Sequence, residues 1–141
     1  MTEICDTYAY FWVRGFECDP EEIGSALGLL PSRTVRKGDL ISEKAEKRRA
    51  ESWWELHSTL PRTERFQDAH IANLLEKLMV VKSAVINLGK RYESGISCVG
   101  YYTDCNSGFH LSAELVKRCA ELGLSLDFDL YNYSGEEQEN A

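Results

Sequence analysis

The stretch GFHLSAELVKRCAELGLSLDFDLYNY, Gly108 to Tyr133, decides the fold class, because each boundary in it carries a chemical marker. Ser112 is placed as a helix N-cap, its hydroxyl accepting from an otherwise orphaned first-turn N–H. Leu111 and Val116 flank it at the spacing of a hydrophobic staple. Leu115, Val116, Cys119, Ala120 and Leu122 then make one apolar face at helical spacing. Gly123 suits the left-handed position after the helix, and Leu124 can fold back on Cys119 as in a Schellman stop. From Leu124 the period becomes two. Leu124, Leu126, Phe128 and Leu130 point one way; Ser125, Asp127, Asp129 and Tyr131 point the other. This predicts a helix feeding a half-buried strand, with Phe128 in the core.

The rest of the chain is punctuated in the same way. Thr7 to Arg14 predicts a strand, with Ala9, Phe11 and Val13 inward and Tyr8, Tyr10, Trp12 and Arg14 opposite. Asp19-Pro20-Glu21-Glu22 predicts a helix start with a capping box, Cys18 and Ile23 as its staple, and Ile23, Ala26 and Leu27 inward. Gly28 ends it. Ser32 to Asp39 reads as an edge strand or extended loop, and the charged run at 41–51 as a solvated loop or frayed turn. Ser52 to Ser58 alternates again, Trp54 and Leu56 against Trp53, Glu55 and His57. Phe66 to Arg91 predicts two helices that break near Val80 to Lys82, where the apolar face loses phase. Ile96 to Thr103 is a further strand, followed by a polar loop, Asp104 to Gly108.

Strand, glycine, capped helix and glycine occur near both ends of the chain, which implies two strand–helix–strand halves with right-handed crossovers. The expected fold is α+β: a single mixed or antiparallel sheet of four to five strands, helices mainly on one face, related to the ferredoxin-like arrangement. One domain is expected over residues 1–133, and the acidic segment 134–141 is expected to be a disordered tail.

Composition narrows the function classes. Acidic residues outnumber basic ones 23 to 16, and the net charge of −7 disfavours nucleic acid and anionic membrane, both of which need a positive face. No apolar run approaches the roughly 20 residues of a membrane helix. The N-terminus lacks the pattern of a signal peptide, so the expected location is cytoplasmic. The five cysteines are irregularly spaced with no paired CxxC, which points to reduced structural thiols. No metal or cofactor is expected.

The order of these signals resembles a known family, the bacterial proteins of the domain of unknown function 4279 family. The resemblance rests on Tyr10-Phe11 through Arg14-Gly15-Phe16, Asp19 to Ile23, Leu27 to Pro31 and the Arg36-Lys37-Gly38-Asp39 turn. A tryptophan of the next strand, Trp53 or Trp54, agrees, as do Leu111 to Leu115, Leu122 to Leu124 and Leu126 to Tyr131. It covers nearly the whole chain except 41–51 and the acidic tail. The resemblance implies a compact intracellular domain and brings no catalytic residues with it.

Function is sought on the sheet face opposite the core. Alternation gathers Tyr10, Trp12, Arg14, His57, Asp127, Asp129 and Tyr131 there, with Tyr8, Glu55 and Tyr101. Such a face is aromatic and acidic. It is either covered by the 32–51 segment or a second subunit, or it is a contact surface, since solvent rarely sees so large an aromatic patch. RNA-recognition folds stack bases on such faces, but carboxylates repel phosphate. The leading expectation is a module that binds a protein partner or itself, immunity-protein-like or in another interaction role. The alternative is a small-molecule sensor or hydrolase using His57 with Asp127 or Asp129 on the same face. The chain has no nucleophile elbow, metal-ligand spacing or glycine-rich phosphate loop, which weighs against an enzyme.

Overall fold

The structure, a computed structural model, describes residues 5–44, 46–103 and 109–132. The expected polar loop at 104–108 and the acidic tail at 134–141 lie outside the described residues. In chain order the elements are β1 (Cys5–Arg14), α1 (Pro20–Leu27), β2 (Arg33–Val35), β3 (Trp53–His57), α2 (Gln67–Val80), α3 (Lys82–Arg91), β4 (Glu93–Tyr102), α4 (Ala113–Glu121) and β5 (Ser125–Asn132). They build one sheet in the order β2-β3-β1-β4-β5. All neighbours are antiparallel except β4 and β5, which run parallel.

Two crossovers interlock, but the second is β3–α2–α3–β4 and not the expected C-terminal half, β4–α4–β5. The β1–α1–β2 crossover leaves a gap that β3 fills, and the β3–α2–α3–β4 crossover leaves a gap that β1 fills. That is the ferredoxin-like sheet. A last unit, β4–α4–β5, then extends it with two parallel neighbours. The α+β expectation therefore holds, with five strands.

Local chemistry sets the element boundaries. Asp19 caps α1 by accepting from the Glu21 N–H, while the Glu22 carboxylate accepts from the Asp19 N–H, and Gly28 closes the helix at φ 69°. Ser112 caps α4 by accepting from Leu115 N–H. At its far end Leu124 N–H donates to Cys119 O and Gly123 N–H to Ala120 O, the two bonds of a Schellman stop. The break between α2 and α3 falls at Val81.

Ala9, Phe11, Val13, Trp54, Leu56, Ile96 and Cys98 face the helices and meet Ile71, Leu74, Leu75, Leu78, Val85 and Leu88 there. A polar strut crosses this core. The Glu64 carbonyl can only accept, so His70 Nε2 donates to it (2.8 Å), and His70 Nδ1 is hydrogen-bonded to the Ser58 hydroxyl (2.8 Å). Ser58 Oγ in turn accepts from Ala9 N–H, which ties β1 to α2.

Five residues of the expected core are corrected. Ala26, Val116 and Ala120 are exposed and lie outside the core. Phe128 is 42% exposed and Leu130 39%. The cause is length: α4 has nine residues and spans about 13 Å, whereas the eight residues of β5 span about 26 Å. The helix covers Leu124 and the start of the strand, and the far half of β5 runs out from under it.

Cys18, Cys98 and Cys119 are free thiols. Burial pushes the Cys98 thiol up to about 12, with Cys119 and Asp127 adding to the rise, and burial raises Cys119 as well. A raised folded value means the fold favours the neutral thiol. The stability contribution is full below the ordinary value of 9 and is lost as pH climbs towards 12. Urea titrations at pH 8 and pH 10.5 should show an alkaline loss that is smaller in Cys98→Val. Iodoacetamide at pH 8 should label native Cys18 and spare Cys98 and Cys119.

Candidate functional site

The face opposite the helices is assembled by cross-strand rows. Pairing sets His57, Tyr10, Ser97 and Asp127 in one row and Arg33, Glu55, Trp12, Gly95 and Ser125 in the next. Trp53, Arg14 and Glu93 flank these on one side. Tyr8, Val99 and Asp129, then Asp6, Tyr101 and Tyr131, flank them on the other. Period-two alternation on four strands in one register therefore places all seven predicted site residues on one surface.

The aromatic side chains lie against each other. His57 stacks against both Tyr8 (ring centroids 5.6 Å apart) and Tyr10 (5.3 Å), Trp12 on Trp53 (5.4 Å), and Tyr101 on Tyr131 (4.8 Å). Two guanidinium groups lie on the rim of this layer. Arg14 sits over Trp12 and pairs with Glu93; Arg62, from the loop before α2, sits 4.0 Å above Tyr8 and pairs with Asp6. The stack leaves Tyr8, Tyr10, Trp53 and His57 half-buried, while Trp12 is only 5% exposed beneath its neighbours.

Charge is distributed unevenly across the face. Glu55 is 5% exposed and is held by Trp53 Nε1 (3.2 Å), Arg33 (3.5 Å) and His57 Nε2 (3.5 Å). Asp127 and Asp129 are exposed on β5. Burial raises the Tyr10 phenol, a hydrogen bond with Ser97 opposes the rise, and Glu55, Asp129 and Asp127 add to it. Burial likewise raises Tyr8 against the pull of Arg62.

His57 and Asp127 stand at opposite ends of one row. Three strand spacings of about 4.8 Å put roughly 14 Å between their backbones. The carboxylate beside His57 is Glu55. The 32–51 segment folds towards the end of the sheet instead: Arg36 pairs with Asp19, Lys37 with Glu17, and the Lys37 N–H donates to Ser52 Oγ. Arg62 and the depth of Glu55 were not legible in the sequence, since both depend on how a loop and an edge strand close over the face.

A family model described as domain of unknown function (DUF4279) matches residues 5–133. The chain belongs to the DUF4279 family. No curated protein and no solved structure matches it. The DUF4279 match takes in all five strands and all four helices, and so the whole aromatic face. Among the described residues no three His, Cys, Asp or Glu side chains converge as a metal site, and no helix is long and apolar enough to cross a membrane. What the DUF4279 face offers is flat contact area from half-exposed rings, bordered by two uncovered carboxylates on β5.

Proposed function

We propose that this DUF4279 chain is a partner-binding module whose open sheet face takes a basic protein. The observation that carries the reading is the half-exposed layer of Tyr8, Tyr10, Trp53 and His57 beside exposed Asp127 and Asp129. Rings already stacked on a sheet lose little further freedom on contact, so they suit the role of anchors. The carboxylates, with a net charge of −7 behind them, speed encounter with a positive partner and select against acidic ones. An immunity-like inhibitor in the cytoplasm is a role of this kind, and the cysteine usage is consistent with a reducing compartment.

The test is capture from native lysate with the parent, Trp53→Ala and Asp129→Asn as bait, followed by kinetic binding to the purified captured protein. A basic partner is expected, weakened at least about tenfold by Trp53→Ala. Asp129→Asn should mainly slow association, and the slowing should fade as salt rises. Equal retention by all three baits would remove the face from consideration. So would a concentration-dependent dimer that buries Trp53, since the occupant would then be a second copy.

A further inference from the structure

We propose that the outer edge of β5 accepts an extended strand of the partner in which basic and apolar side chains alternate. This rests on the reading of a basic partner above, and adds how that partner is held. Among the described residues β5 is the last strand of the sheet, so the outward N–H and C=O groups of Ser125 to Leu130 pair with no strand. Edge strands are commonly protected by Pro, by Lys or by being very short. Here the strand is eight residues, SLDFDLYN, with no Pro, Lys or Arg.

Side chains on its two faces specify what can lie alongside. Asp127 and Asp129 are exposed on the aromatic side. On the other side Phe128 and Leu130 are exposed, and Phe109, itself 45% exposed, meets Phe128 edge-on at 4.8 Å. Residues opposite one another in a ladder share a face. An added strand therefore sets Lys or Arg against the aspartates and Val, Ile or Phe against Phe128 and Leu130. Both faces are satisfied only by strict alternation.

The same register logic disfavours a second copy. In antiparallel self-pairing, the two registers of fullest overlap are centred on Phe128 or Asp129. The first sets Asp127 against Asp129, and the second sets Asp129 against itself. The chain's own residues 133–141 are no better matched, since they carry Glu136, Glu137 and Glu139 and no Lys or Arg.

The experiment uses the full chain and four synthetic peptides. These are acetyl-(Lys-Val)4-amide, its permutation acetyl-(Lys-Lys-Val-Val)2-amide, the acidic acetyl-(Glu-Val)4-amide, and a fully N-methylated (Lys-Val)4. Affinity is read by calorimetry and location by amide exchange. The alternating basic peptide should bind at least tenfold tighter than the other three and slow exchange of the outward half of the β5 amides. Asp127→Asn with Asp129→Asn should cost at least tenfold. Equal binding of the permuted peptide would mean a polycation effect and would overturn the proposal, as would protection confined to residues away from β5.

Two controls name the other occupants. Outward β5 amides already protected in the free chain, and released on deleting 134–141, would assign the edge to the chain's own tail. Protection that appears only at high protein concentration would assign it to a second copy. Either result overturns the proposal. Failure at β5 with capture still lost in Trp53→Ala would leave the aromatic face standing without the edge.

Discussion

Phe11→Ala is expected to destabilise the protein by about 3–5 kcal/mol, while Phe128→Ala costs less than about 1.5 kcal/mol. Both are phenylalanines on the core side of a strand, so the contrast isolates burial. Phe11 has no exposed surface, lies on the central strand and meets Trp54 edge-to-face at 6.0 Å. Its truncation loses the transfer energy of the ring and leaves a cavity that rigid neighbours on β3, α2 and β4 cannot close. Phe128 keeps 42% of its surface in water and rests on the ring of Phe109, so solvent fills whatever its truncation opens. Urea denaturation with an unchanged m-value measures both. Equal losses would mean that the far half of β5 is covered in solution.

Gly95→Val should cost about 3 kcal/mol or more and should also disturb the aromatic face. A β-carbon at position 95 would lie 2.5 Å from Ser125 Oγ, 2.7 Å from the Trp12 ring and 2.9 Å from the Ser125 carbonyl. The first can rotate away. The carbonyl belongs to the backbone of β5, and the indole is held under Trp53, so neither yields cheaply. Either β4 and β5 separate at their start or Trp12 leaves its place. A fall in melting temperature together with a change in tryptophan fluorescence is the expected result. A variant as stable as the parent would show that the β4–β5 junction is looser than this packing requires.

These two predictions differ in how much of them could be read from the chain. The placement of Phe11 follows from alternation in TYAYFWVR alone, because a strand with Ala9, Phe11 and Val13 on one side has only one face to bury. The caps at Asp19 and Ser112, the glycine stops and the break at Val81 are equally local, each set by bonds within a few residues. The gathering of Tyr10, Trp12, Arg14, His57, Asp127, Asp129 and Tyr131 on one face was also legible, since period two carries across any sheet that contains those strands.

What only the tertiary structure decided was coverage. Alternation says which way Phe128 and Trp12 point, and nothing about what lies above them. Phe128 points to the helical side, yet α4 is too short to cover the whole length of β5, so a core-patterned residue stands in water. Trp12 points to the open side, yet Trp53 from a neighbouring strand and Arg14 close over it, so a surface-patterned residue is buried. Strand order decided the rest: it placed β3 between β1 and β2, seated His57 beside Tyr8, and left β5 at the edge. The sequence by itself determined the elements, their caps and the two faces of each strand, because those depend on short-range bonds and on the period of the pleat. Element length against element length, and which strand lies beside which, are long-range quantities that appear only once the chain is packed.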